Sequence, residues 1–171
     1  MLTIAESSPE YLFDVKEVTV AGLDLTCSPP GNDGAYEELC FLTAARGRGY
    51  TTWVPIGHSQ KADAIIWKAP NSPVTVQIKR GNFQRGSWHV HIAAARGSDC
   101  VARRKAAGRP VDKWVRYQQG DFDVLAVYVP PANAFRLYRL DDLAGQNHLS
   151  FRDLSTLNNW HVIEDALKHD L

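Results

Sequence analysis

Cysteine is scarce in this chain: Cys27, Cys40 and Cys100 are an odd number spread along 171 positions. Neither a disulfide framework nor a zinc site fits that spacing, and a reduced, cytoplasmic compartment is the expected setting. Long apolar runs are absent too. No stretch is long enough to span a bilayer, and no cationic segment followed by an apolar one opens the chain, so neither membrane insertion nor a signal peptide is expected. Several enzyme classes drop out on similar grounds. There is no Gly-x-Ser-x-Gly elbow, no phosphate-cradling Gly-x-x-x-x-Gly-Lys loop, no dinucleotide glycine pattern and no His-paired cysteine nucleophile. Internal repeats and low-complexity tracts are also missing.

Net charge is absent as well, with 19 Lys and Arg against 19 Asp and Glu. A zero total discourages a nucleic-acid partner, but the distribution is uneven. Between Lys79 and Arg116 stand ten basic residues (79, 80, 85, 96, 103, 104, 105, 109, 113, 116) against Asp99 and Asp112, while the first 45 residues hold eight acids against Lys16 alone. Phosphate binding needs such a local field rather than a basic whole protein. The competing reading is a solvated surface neutralised by the acidic N-terminal segment. The hydrophobic content of 44% over 171 residues supports a single domain, 1–171, in which 1–30 form an extension with one strand.

Turn signals divide the chain into elements. Residues 17–27 read as a strand bent at Gly22, and 28–34 as a break. Asn32 or Asp33 can cap a helix from Gly34 to Arg46, which Gly47 and Gly49 end. Strands are expected at 50–54, 62–68, 74–80, 87–93, 122–129 and 135–139, with a loop at 55–61 and a helical turn at 141–144. Residues 94–118, small, basic and glycine-bearing, read as a loop or partly ordered insertion. One or two helices close the chain over 153–168. The order predicts a mixed α+β fold, a central mixed sheet flanked by helices.

One spaced set of polar residues stands out: Glu37 on the helix, Asp63 at the start of a strand, and Gln77-Ile78-Lys79 near the end of the next. Across the turn Ala69-Pro70-Asn71-Ser72-Pro73, Asp63 can sit beside Gln77 and Lys79, which share a face by alternation. A carboxylate, an amide oxygen and an ammonium at one end of a sheet suit a hard divalent cation and a phosphate. Glu37 and Glu38 point about 100° apart on a helix, so one of them faces the site. His58 lies in the preceding loop, within reach of proton transfer. His89 and His91 share a strand face; that spacing can bind a metal but shows no third ligand nearby, and reads as a partly buried pair.

The run Gly34-Ala35-Tyr36-Glu37, Gly49-Tyr50, Pro55, Asp63, Gln77-Ile78-Lys79 resembles the PD-(D/E)XK nuclease superfamily, in the branch of group I intron-type homing endonucleases where Gln replaces the second acid. Asp123 to Val129, Arg136-Leu137-Tyr138, Ser150-Phe151-Arg152 and Asn158-Asn159-Trp160 fit the same pattern, so the resemblance runs from about Gly34 to Ile163. It implies a restriction-endonuclease-like fold and a metal-dependent endonuclease that hydrolyses DNA phosphodiester bonds. Asp63, Gln77, Glu37 and the Ile78 carbonyl would hold Mg2+, with Mn2+ as a substitute. Lys79 would orient the attacking water and offset phosphate charge. Glu37, Asp63, Gln77 and Lys79 are the implied catalytic residues, and a homodimer or higher homo-oligomer the implied assembly. Arg80, Arg85, Arg103, Arg104, Lys105 and Arg109 are candidate phosphate contacts on DNA. Two alternatives stand beside this: an inactive DNA-binding module on the same fold, and a branched-DNA (Holliday junction) resolvase.

Overall fold

The computed structural model describes residues 34–56, 61–95, 105–108, 114–143 and 145–167. The expected strand at 17–27 and the Asn32 or Asp33 cap lie outside them. Helix α1 spans Ala35–Gly47. Good helix formers fill it, Glu37 and Glu38 occupy its positive end and Arg46 its negative end, which suits the helix dipole. Its first flanking residue is Gly34, at φ 81, with no side-chain cap. Gly49, also at φ 81, ends it as its N–H donates to the Arg46 carbonyl at 2.9 Å. The buried positions Glu37, Phe41 and Ala45 recur every four residues, so one stripe of α1 faces the sheet.

The main sheet has five strands: β1 (Thr51–Trp53), β2 (Ala64–Trp67), β3 (Val74–Arg80), and, further on, β8 (Val124–Val129) and β9 (Ala134–Arg139). Their order is β1-β2-β3-β8-β9, antiparallel throughout except for the parallel pair β3–β8. Asp123 clamps that parallel pair at its base. Its carboxylate accepts from the Thr75 N–H at 2.7 Å and the Thr75 hydroxyl at 2.6 Å, and its own N–H donates to the Thr75 carbonyl at 3.0 Å. Every residue of β8 is buried, as a strand covered on both faces requires.

Alternation along β3 and β8 divides the core in two. Val74, Val76, Ile78, Val124, Ala126 and Tyr128 pack with Phe41 and Ala45 of α1, Ile163 of the C-terminal helix α2 (His161–Leu167) and Trp160 just ahead of it. Phe41 lies between Phe135 and Trp160, at ring-centre distances of 5.3 and 5.4 Å. On the other side Leu125, Val127 and Val129 meet Trp88, Val90, Phe122, Leu143 and Phe151. These helices thus cover one face, and the other is covered by a smaller sheet of order β10-β5-β4, made by β4 (Asn82–Gln84), β5 (Ser87–His91) and β10 (His148–Phe151). The reason is the alternation of β5, which turns Trp88 and Val90 inward and leaves His89 and His91 outward.

The expected 94–118 insertion is more structured than its composition suggests. β6 (Ala93–Ala95) pairs antiparallel with β7 (Trp114–Arg116), so the strand expected over 87–93 is two short strands instead. The helical turn is a 3-10 turn at Asp141–Leu143. At the β9 edge two asparagines replace a neighbouring strand. Asn159 accepts from the Leu137 N–H at 2.8 Å and donates to its carbonyl at 2.9 Å, and Asn158 Oδ1 accepts from the Phe135 N–H at 3.3 Å.

Candidate active site

Asp63 stands one residue ahead of β2, opposite Gln77 in a ladder where Ala64 faces Val76. Its N–H donates to the Val76 carbonyl at 2.8 Å, which fixes the backbone. Its side chain leans onto β3: Oδ2 accepts from the Ile78 N–H at 2.7 Å and from Gln77 Nε2. The Gln77 amide also donates to the Ile78 carbonyl at 3.3 Å. The Asp63 carboxylate, the Gln77 amide and the Ile78 carbonyl therefore meet at one end of β3.

Lys79 lies two residues on, on the same face as Gln77. Burial holds its ammonium below the usual lysine range, and the Asp63 carboxylate partly offsets this. Burial likewise pushes Asp63 above the usual carboxylate range, against the Ile78 N–H, Lys79 and Gln77, which favour the ion. Each group is thus shifted toward its neutral form, and each restrains the other's shift. A buried acid and a buried base of this kind are common at reactive centres.

Tyr117, which no local pattern in the sequence marks, completes the site. The Lys79 ammonium sits 5.6 Å from the centre of its ring. Burial, then Asp63 and Asp121, raise its hydroxyl pKa. Its ring packs edge-on against Phe122 at 4.7 Å. The turn that follows is latched to the approach to Asp63: Lys61 Nζ donates to Asp121 at 2.7 Å, and the Gln118 N–H donates to Asp121 Oδ2 at 2.8 Å.

Glu37, rather than Glu38, is the buried acid of α1, at 5% exposure. Its Oε1 accepts from Arg80 Nη1 at 2.8 Å. Alternation puts Arg80 on the helix-facing side of β3, opposite to Gln77 and Lys79. The structure thus joins Asp63, Gln77, Ile78 and Lys79 at one end of β3 and pairs Glu37 with Arg80, the residue after Lys79. Arg85 is exposed in the β4–β5 turn at φ 51, and Lys105 is exposed. His58, Arg103, Arg104 and Arg109 lie outside the described residues.

The oxygens around Asp63 are hard donors of the kind Mg2+ and Mn2+ take. Among the described residues, no group of three or more His, Cys, Asp or Glu side chains is poised as it stands to enclose a metal ion. A cation at Asp63 would therefore draw on neutral oxygens beside the Asp63 carboxylate. The Gln77 amide nitrogen faces Asp63, and turning the amide over about its last torsion presents its oxygen instead. None of the described helices is long and apolar enough to cross a membrane.

A scan against protein-family models finds no match to this sequence, and a search of curated proteins finds none either. Among solved structures, the chain is similar in fold to a bacterial homing endonuclease, I-Ssp6803I, with a TM-score of 0.62 at 16% sequence identity, over 81% of this chain and 96% of that one.

Proposed function

We propose that this chain is a metal-dependent endonuclease of the PD-(D/E)XK type that hydrolyses phosphodiester bonds in DNA. The observation that carries this reading is the meeting of Asp63, Gln77, the Ile78 carbonyl and Lys79 at one end of β3. The likeness in fold to a homing endonuclease supports it.

Asp63, the Gln77 amide oxygen and the Ile78 carbonyl would hold Mg2+ or Mn2+. When bound, the cation would supply positive charge to the phosphate and acidify water. The protein's own part is positional. Asp63 is fixed by the Ile78 N–H, and Lys79 is fixed over Tyr117, so neither need reorganise when a phosphodiester arrives. Lys79 orients the attacking water and faces the charge that develops on phosphate. A homodimer or higher homo-oligomer would set two such sites on two strands.

A second reading, a DNA-binding module without catalysis, is favoured by the Glu37–Arg80 pair, which holds the helix carboxylate in an ion pair. Cleavage of plasmid and synthetic junction DNA with Mg2+, Mn2+ or EDTA separates the two. Metal-dependent cutting that disappears in Asp63→Ala and Lys79→Ala supports the endonuclease, and a preference for junctions would make it a resolvase. DNA binding with no cutting in any of the three proteins refutes the catalytic claim.

A further inference from the structure

Outside the candidate active site, three histidines share the outer face of the β10-β5-β4 sheet. His89 and His91 are two apart on β5, and the register sets His148 of β10 directly across from His91. The His148 ring lies 5.1 Å from the His89 ring and 5.3 Å from the His91 ring, centre to centre. Asn82 and Ser150 stand opposite His89 in the two ladders, and Trp114 stacks on His91 at 5.2 Å.

We propose that His89, His91 and His148 form a binding site for a first-row transition cation, Zn2+ in particular, that cross-links β5 to β10. Two residues alternating on one strand and a third facing them across the ladder are a natural way for a sheet to offer three imidazoles to one ion. Zinc–nitrogen distances put a ring centre about 3.2 Å from the metal, so two rings at a tetrahedral angle stand roughly 5.2 Å apart. The two measured separations bracket that value. The environment of His89 adds a second argument. Its Nε2 lies 2.9 Å from the Ser87 hydroxyl and 3.2 Å from the Gln84 carbonyl. The carbonyl can only accept, so that contact is a hydrogen bond when Nε2 carries the proton, and in that tautomer the Nδ1 lone pair is left to a metal. That is the usual outer arrangement of a ligating histidine. The rings as they stand do not close on one point, and binding requires the exposed rings of His91 and His148 to turn, His91 out of its stack on Trp114.

The test uses the full chain without a polyhistidine tag, stripped with chelator and dialysed. Zn2+ is titrated in competition with a chromophoric chelator, and melting is followed in parallel. The expected result is one saturable Zn2+ per chain and a higher melting temperature with zinc. His148→Ala should lose both effects, Ser87→Ala should weaken binding about tenfold through His89, and Asp63→Asn should keep both. Substitution with Co2+ should give the visible absorption of a tetrahedral site in the wild type only. No saturable binding by the wild type would overturn the proposal. So would binding that survives in His148→Ala, or binding lost in Asp63→Asn, which would place the ion at the active site instead.

Discussion

Replacing Glu37 by Gln should destabilise the protein by about 2–3 kcal/mol, a figure that follows from burial. Fully buried ion pairs cost about 3–5 kcal/mol when one partner is removed, and exposed pairs about 0–1. Here the carboxylate retains 7% of its side-chain exposure and the guanidinium 20%, at 2.8 Å. The pair therefore sits below the upper limit but well above the surface value. Arg80→Met should cost a similar amount by stranding the carboxylate. The double variant Glu37→Gln/Arg80→Met should lie within about 1 kcal/mol of the wild type, because the two buried charges are removed together. The implied coupling energy is at least about 3 kcal/mol. Urea unfolding followed through the five tryptophans measures all four proteins. Single variants that each cost less than about 0.5 kcal/mol, or that add in the double variant, would refute the argument. DNA cleavage assayed where Glu37→Gln remains folded then reads any part of Glu37 in the active site separately from its part in the fold.

Four further outcomes follow from the same structure. Lys79→Met should raise the melting temperature near neutral pH, because burial disfavours the ammonium. With the folded value below the unfolded one, the native state sheds its proton first, so wild-type stability should rise through that alkaline window and the gap to Lys79→Met should close. Asp63 behaves oppositely on the acid side: its folded value is raised, the native state keeps the proton longer, and its contribution should fall as pH rises through the carboxylate range, a slope that Asp63→Asn removes. Asn159→Ala should cost about 1–3 kcal/mol by orphaning the Leu137 N–H and carbonyl, and light scattering should detect association through the uncovered β9 edge. Gly81→Ala should cost about 1–3 kcal/mol by urea unfolding, since a Cβ there would meet the Tyr128 carbonyl and Trp88 Cε3, both at 3.2 Å.

The parts of the fold that could be read from the sequence are those specified by near neighbours. The helix over 35–47 is marked by its composition and closing glycines. The strands at 64–67 and 74–80 are marked by apolar runs around a proline-containing turn, and that same turn sets Asp63 against Gln77. The rest depends on contacts between distant residues. Nothing in Ala93-Ala94-Ala95 announces a partner at Trp114-Val115-Arg116, so the segment read as an insertion. Tyr117 meets Lys79 from 38 positions further along the chain, and the partner that α1 gives Arg80 in Glu37 is 43 positions away. His148 had no visible connection to His91 until β10 was placed beside β5.

The one parallel pairing in the main sheet also sets a timetable. Thr75 and Asp123, which lock β3 to β8, are 48 positions apart. A parallel neighbour cannot be reached by a tight turn, so this join must wait for a long loop to close. A ribosome releases Asp63, Gln77 and Lys79 well before Val124, and over that interval β3 has hydrogen-bonding company on its β2 side alone. Tyr117 and the Lys61–Asp121 latch also arrive late. The burial that tunes Asp63 and Lys79 is therefore acquired by the nearly finished chain, and a fragment ending before β8 should hold the same residues in water, with the pKa values of ordinary side chains.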